Sequence, residues 1–311
     1  MAIMAADKTE TTLSTKPSQV QIWLMASRPR TLPAAASPVI VGSAAAFATG
    51  HFDLLPALAA LFGALLLQIG ANVANDLFDF QRGADTPDRL GPTRVTSARL
   101  LTPGEVRRGM IVIFGLAVLC GLYLAFHAGW VVVAIGVLSI LAALAYTGGP
   151  YPLGYHGLGE VAVFLFFGLA AVCGTYYVQA LRFSWLSVWA AIPMGLLIVA
   201  ILIVNNLRDA KTDRATGKMT LAARFGEEWA QREYLLVVAA AYLVPVLMWV
   251  FGAAGWPVML AWLSLPWFLP LAREIRTLTG RPLNRVLAKT GQLTLVYGLL
   301  FSVGLVIQAV V

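Results

Sequence analysis

Asn72-Val-Ala-Asn75-Asp76-Leu-Phe-Asp79-Phe-Gln-Arg82-Gly83-Ala-Asp85 closes one long apolar run, and Asn205-Asn206-Leu-Arg208-Asp209-Ala-Lys211-Thr-Asp213-Arg214-Ala-Thr-Gly217-Lys218 closes another. If helices run through these stretches, Asn72, Asn75, Asp76 and Asp79 recur at i, i+3, i+4, i+7 and share one face. Asn205, Asp209 and Asp213, at i, i+4, i+8, do the same. Carboxylates stacked at the C-terminal end of a helix repel one another and oppose the negative pole of the helix dipole. Solvation of two helix ends is one way to tolerate that. Two clusters of one design point instead to a shared divalent-metal site.

The surroundings of the clusters set the fold class. The chain is 59% hydrophobic and 12% charged, with a mean hydropathy of +0.78. Soluble domains carry about twice that charge fraction. The reading is an all-α polytopic membrane protein. Residues 1–22 are read as a disordered polar tail without the apolar stretch of a cleaved signal peptide, ahead of a single transmembrane domain over residues 23–311. Nine transmembrane helices are predicted at about 31–50, 56–79, 108–127, 129–147, 159–180, 185–207, 232–251, 256–274 and 288–310, each near the ~20 residues that cross a bilayer. Pro33, Pro38, Pro193, Pro245 and Pro266 fall within spans, which packed membrane helices tolerate. Cys120 and Cys173 lie inside apolar segments and read as packing residues.

Lys and Arg orient the bundle. With nine spans, 21 of the 22 fall on one face; only Arg182 falls on the other. The positive-inside rule places the N-terminus and both Asp clusters in the cytoplasm and the C-terminus outside. A bacterial cytoplasmic (inner) membrane is the expected location. The net charge of +7 therefore calls for no nucleic acid; it is a topological signal and a match to anionic head groups or phosphates. The long charged loops, about 80–107 and 208–231, lie on the same face. Asp79 and Asp209 are 130 residues apart at matching places in the two halves, which suggests a weak duplication.

Each cluster interleaves Asp with cations: Arg82, Arg89 and Arg94 in the first, Arg208, Lys211, Arg214 and Lys218 in the second. Carboxylates alone suit a bare cation. Mixed with guanidinium groups they suit a metal–polyphosphate complex, Mg²⁺ bridging Asp and phosphate while Arg and Lys take the remaining oxygens. The other reading is that the basic residues serve topology and pair locally. Since Mg²⁺ usually takes one or two protein carboxylates, this many Asp residues suggest two ions. A diphosphate held at the mouth of an apolar bundle implies a lipid tail among the helices. Its departure from an allylic carbon would leave a carbocation, which needs water excluded.

With these motifs assembled, the chain resembles the UbiA-type intramembrane prenyltransferases, and within them the 1,4-dihydroxy-2-naphthoate polyprenyltransferase branch. The resemblance runs through Arg28-Pro-Arg-Thr-Leu32, Asn75 to Asp79, Gly83-Ala-Asp85-Thr and Asp88-Arg89-Leu-Gly-Pro92. It continues through Tyr146-Thr-Gly-Gly-Pro150 to Tyr155, Gly157-Leu-Gly-Glu160, Asn205 to Asp213, and Gly217-Lys-Met-Thr-Leu221. The hydroxybenzoate-type pattern Asn-Asp-x-x-Asp-x-x-x-Asp would put a third Asp at 83, where this chain has Gly83. Asp85 follows that glycine, and the shift favours naphthoate as acceptor.

The resemblance implies nine helices around a central cavity with a cytoplasmic cap. It implies Mg²⁺ on Asp76, Asp79, Asp85, Asp209 and Asp213, and a polyprenyl diphosphate steadied by Arg82, Arg89 and Lys218. Arg28, Asn72, Asn75, Asn205, Asn206, Arg208 and Lys211 complete the substrate-binding set, with Tyr146 and Tyr155 near the cation or acceptor. The implied reaction joins the prenyl group to 1,4-dihydroxy-2-naphthoate with loss of CO₂.

Other features read more simply. Residues 146–160, rich in Gly, Pro and Tyr, suit either a plain turn or a functional loop. Glu160 has the position of a residue complementing a helix N-terminus. Gln68 and Gln179 suit bonds between helices. His51, His127 and His156 lack metal-ligand spacing, and Trp23, Trp130, Trp185 and Trp256 fit an interfacial belt. A transporter with acidic gates is the non-enzymatic alternative, but it would place ionisable groups near the midplane. Among acceptors, 4-hydroxybenzoate, homogentisate and a haem vinyl group are the other possibilities.

Overall fold

A computed structural model describes residues 17–85 and 89–310. The helices are α1 Gln19–Ser27, α2 Pro33–Ala48, α3 Leu54–Gln81, α4 Pro103–Ala128, α5 Trp130–Ala145, α6 Gly159–Val163, α7 Ala171–Ala180, α8 Trp185–Ala215, α9 Leu221–Phe225, α10 Glu227–Val250, α11 Leu265–Thr277 and α12 Leu283–Val310. A π-helical segment, Phe164–Ala170, joins α6 to α7, and a 3₁₀ segment, Trp256–Ser264, leads into α11. No strand occurs among the described residues.

All nine expected segments are helical, yet fewer meet the length and hydropathy of a span. Seven do so among the described residues, and α1 with α2, bent by 53°, makes an eighth. The remaining segment, α5, has 16 residues and reaches only about 24 Å at the α-helical rise. The Gly- and Pro-rich turn after Ala145 stops it. The bend between α1 and α2 has a local cause: Arg28 caps α1 in the left-handed region at φ 51°, and Pro29 starts the next turn. The tail boundary also moves. Residues 19–22 are helical, started by a capping box between Ser18 and Gln21, so disorder does not extend to residue 22; residues 1–16 lie outside the described ones.

The core lies around α8 and α12. In α8 67% of the apolar stretch is buried inside the bundle, against 22% in α3 and α4. Small residues permit this packing: a Cβ on Gly168 would lie 2.8 Å from Gly195 Cα, so only glycines allow the π-segment to cross α8 there. Buried hydroxyls are paired between helices, Tyr234 with Thr290 and Tyr242 with Ser264, as membrane packing requires. Pro33 and Pro266 stand in the first turns of α2 and α11, where a missing N–H is free of cost.

Three loops interlock as a cap over the bundle end that carries both Asp clusters. Arg82 donates to the carbonyls of Thr147 and Gly149, Met219 N–H donates to Tyr155 O, and Arg224 donates to His156 O. The bundle, its cap and its apolar spans make this an integral membrane protein.

Candidate active site

Asp53 caps α3 by accepting from Leu55 N–H, and the helix then runs far enough to carry its polar stripe to the cap. Along that stripe Asn72 Nδ2 donates to Ser27 O and Thr31 Oγ1, both at 3.0 Å. Asn75 Oδ1 accepts from Thr147 Oγ1 at 2.8 Å. Asp79 Oδ2 accepts from Arg94 Nη2 at 2.7 Å, and Oδ1 accepts from the Tyr155 hydroxyl at 2.9 Å.

On α8, Arg208 grips Asp209 through two nitrogens and reaches Asn205 Oδ1 at 2.9 Å. Its third nitrogen, Nη1, donates to Asn284 Oδ1 at 2.8 Å, and Asn284 Nδ2 donates to Leu90 O at 2.9 Å. Gly91 packs close against this guanidinium, since a Cβ there would come within 2.8 Å of Arg208 Nη2. Past the end of α8, Gly217 at φ 76° turns the chain back, so that Lys218 N–H bonds Asp213 O and Lys218 Nζ sits 3.6 Å from Asp213 Oδ1.

The two clusters meet at one cavity of about 450 Å³. Arg28, Asn72, Asn75, Asp79, Arg89, Tyr146, Asn205, Asn206, Asp209 and Lys218 line it, together with Arg94; Leu67, Val133, Ile140, Phe166, Phe167 and Ile198 are among its apolar wall. Tyr155 sits behind Asp79, with Arg82 Cζ 5.4 Å and Lys218 Nζ 5.8 Å from its ring centre. Burial and the Asp79 charge hold its phenol well above the ordinary tyrosine range, so the hydroxyl keeps its proton for that carboxylate. Burial, then the nearby Arg94, lowers Arg89 from the ordinary arginine value.

Several sequence expectations change. Asp76 does not line the cavity; its oxygens accept Val95 and Thr96 N–H at 3.0 and 3.1 Å, anchoring the loop after α3. Asp85 is engaged by Arg89 at 2.6 Å and Ser97 at 3.2 Å. Arg82 fastens the 146–155 loop instead of facing the cavity. Lys211 points away, its side chain 86% exposed and paired with Glu227 at 3.1 Å, because position 211 leaves the stripe of Asp209 and Asp213 by half a turn. The five-carboxylate ligand set is not assembled: among the described residues no three Asp, Glu, His or Cys side chains converge to hold an ion alone. Each carboxylate has found an N–H donor or cation of the protein instead. Asp88, part of one motif, lies outside the described residues.

Two cavity-side partners go beyond the sequence reading: Arg94 is anticipated only as one of the cations interleaved with the first cluster, not as the partner of Asp79, and Asn284 is not anticipated at all. Arg94 is one basic residue among several in its loop, with no periodic signal. Asn284 meets Leu90 across 194 residues of chain, which local spacing does not reveal.

Some buried groups remain unpartnered. Arg28 Nη2, Arg94 Nε and Nη1, and Asp213 Oδ2 have no hydrogen-bond partner among the described residues. Buried polar atoms are nearly always satisfied. Arg28 and Arg94 line the cavity with free donors, as does Lys218, which holds the half-satisfied Asp213; such a set suits an anion and a cation bound together.

Comparison with known proteins agrees with this architecture. A profile of the UbiA prenyltransferase family matches residues 35–296. The chain is 39% identical to 1,4-dihydroxy-2-naphthoate octaprenyltransferase of Escherichia coli (strain K12), over 93% of this chain and 96% of that one. It is 42% identical to the Mycobacterium tuberculosis protein of the same name, over 89% and 94%. Among solved structures, a UbiA homolog from Archaeoglobus fulgidus bound to GPP and Mg²⁺ superposes with a TM-score of 0.62 at 14% identity, over 90% of this chain and 99% of that one. An apo UbiA homolog from Aeropyrum pernix K1 gives 0.65 at 14% identity, over 87% and 97%. At that identity the likeness concerns the fold.

Proposed function

The chain belongs to the UbiA prenyltransferase family, and we propose on that footing that it transfers a polyprenyl group from polyprenyl diphosphate to 1,4-dihydroxy-2-naphthoate, releasing diphosphate and CO₂ and giving a demethylmenaquinol. The observation that carries this reading is the shared cavity, where Asp79 and Asp209 meet Arg89, Arg94 and Lys218 in front of an apolar wall. The acceptor follows the relatives in Escherichia coli and Mycobacterium tuberculosis, at 39% and 42% identity. The site end lies in the cytoplasm, where the basic residues belong.

The donor set suits Mg²⁺: hard oxygens, one or two per ion, with phosphates to complete the shell. Asp79 and Asp209, with Asp213 and its free oxygen, would hold two ions, one per cluster. When bound, Mg²⁺ neutralises the diphosphate and makes it a better leaving group. The protein does the rest. Arg28 and Arg94 offer their unpartnered N–H groups, and Lys218 its ammonium, to phosphate oxygens. Tyr155 holds Asp79 from behind. The apolar wall keeps water from the allylic cation, and the rings of Phe166 and Phe167 face the same space. The bond from the allylic carbon to diphosphate oxygen breaks, and the ring carbon bearing the carboxylate bonds to that allylic carbon. The electron pair of the ring–carboxylate bond returns to the ring as CO₂ departs.

The test is release of ¹⁴CO₂ from carboxyl-labelled dihydroxynaphthoate together with the product mass. Prenylated 4-hydroxybenzoate with its carboxylate intact, and no turnover of the naphthoate, overturns the substrate. Variants of two lysines test the geometry. Lys211→Ala leaves kcat/KM within about twofold, as expected of an exposed pair. Lys218→Ala lowers it at least about tenfold through lost charge at the diphosphate. Equal effects of the two in steady-state assays would refute the placement of Lys218.

A further inference from the structure

Glu160 is a carboxylate that the mechanism above does not use. It is only 7% exposed, near the start of α6, where the helix dipole favours its charge. That explains how the charge is tolerated, not what the side chain does. Its Oε1 accepts one hydrogen bond, from Asn206 Nδ2 at 2.8 Å, and its Oε2 has no partner among the described residues. An apolar residue would pack there at lower cost than a carboxylate so poorly satisfied.

Asn206 is the link to the cavity, which it lines. It stands three residues before Asp209 and seven before Asp213, so it shares their side of α8 and lies about one helical turn before Asp209. A carboxylate only accepts hydrogen bonds. Glu160 therefore selects one orientation of the Asn206 amide: Nδ2 is drawn to Glu160, and Oδ1 is left for the cavity. Among the described residues Asn206 Oδ1 takes part in no hydrogen bond, and unlike Glu160 Oε2 it is not enclosed. Tyr146 stands alongside. A Cβ on Gly159 would lie 2.9 Å from the Tyr146 hydroxyl and 3.4 Å from Leu202, so the absent side chain lets that ring close up on the start of α6. The Glu160 charge, after burial, contributes to raising the Tyr146 phenol above its ordinary value, consistent with their proximity.

We propose that Glu160 is a positioning residue for the aromatic acceptor: by taking the Asn206 amide hydrogen it presents Asn206 Oδ1 to the cavity, where that oxygen accepts a hydroxyl hydrogen of the hydroxyaromatic acid. The inference rests on the prenyl-transfer reading and adds to it which level of the cavity receives the acceptor. The prenyl diphosphate lies against the carboxylates near the end of α8; the hydroxyl side of the acceptor lies about one helical turn deeper, against Asn206 and Tyr146.

The experiment is a double-mutant cycle on the full-length enzyme in lipid nanodiscs, with polyprenyl diphosphate and dihydroxynaphthoate varied separately. Glu160→Leu raises the acceptor KM about tenfold, the scale of one misdirected buried hydrogen bond, and leaves the KM for the diphosphate within about twofold. Asn206→Leu does the same, and the double variant is no worse than Asn206→Leu alone, since the two act through one contact. Glu160→Gln retains an acceptor oxygen for the Asn206 amide and restores the acceptor KM to within about threefold. Additive effects, equal loss of affinity for both substrates, or a Glu160→Gln variant as impaired as Glu160→Leu would overturn positioning. If Glu160→Leu does not fold, Asn206→Leu and Glu160→Gln still decide the question through the KM split. Wild-type enzyme that turns over only another hydroxyaromatic acid removes the named acceptor but not this inference, because the cycle is then run on that acid.

Discussion

Asp209→Ala lowers kcat/KM by about three orders of magnitude, the scale of losing a group that stabilises charge at the reacting centre. Asp209 lines the cavity and is the counter-charge of Arg208, whose side chain is 1% exposed. Read from sequence alone, removing one carboxylate from a crowded cluster would relieve repulsion and stabilise the protein. The structure reverses that sign. Arg208 would be left buried and unpaired, at a cost of about 3–5 kcal/mol, and the clasp through Asn284 would loosen with it. Asp79→Ala has a parallel effect, because Arg94 is 5% exposed and leans on Asp79. Turnover per folded molecule, with thermal unfolding measured alongside, separates the two contributions. Both variants near wild-type activity would mean that the two clusters do not form one site.

Exhaustive chelation of divalent ions abolishes turnover, and Mg²⁺ restores it. The cations that pair with the carboxylates in the protein are the groups that a diphosphate recruits. Once Arg94 and Arg89 turn to phosphate oxygens, Asp79 and Asp85 are buried anions that keep only a hydroxyl donor each, from Tyr155 and Ser97, and Asp213 Oδ2 is unpartnered already. Bare carboxylates in that setting cost several kcal/mol each unless a cation replaces the arginine. Full activity in a chelator, with bound metal below one ion per hundred sites by elemental analysis, would remove the ions from the mechanism.

The helical bundle and the polar face of each cluster are legible because both are local; that the two faces belong to one site follows only from their like design. Long apolar runs report spans, and the spacing of Asn72 to Asp79 and of Asn205 to Asp213 reports a face. Periodicity does not say which member of a face turns inward. Asp76 shares the face of Asp79, yet two loop N–H groups claim it, and nothing between Gln81 and Pro103 announces that the chain returns to bind there. Lys211 looked like a phosphate ligand by neighbourhood alone; its helical angle sends it outward. Hydropathy marked residues 129–147 as a span without registering how early the Gly-Pro turn ends α5. The partnership of Arg94 with Asp79 and that of Asn284 with Leu90 depend on packing, which spacing does not encode.

The Asn284 clasp bears on how this protein is made. Leu90, Arg208 and Asn284 come from three stretches of chain, and Asn284 stands in the first turn of α12, behind the eleven other helices in order of synthesis. A ribosome delivers both Asp motifs to the membrane well before it delivers that asparagine. Until α12 packs against α2 and α8, Arg208 lacks one of its three holds and the loop at Leu90 lacks its tether. The nascent bundle is thus a pair of acidic half-sites under an unfastened cover, and the last helix to arrive is the one that latches it.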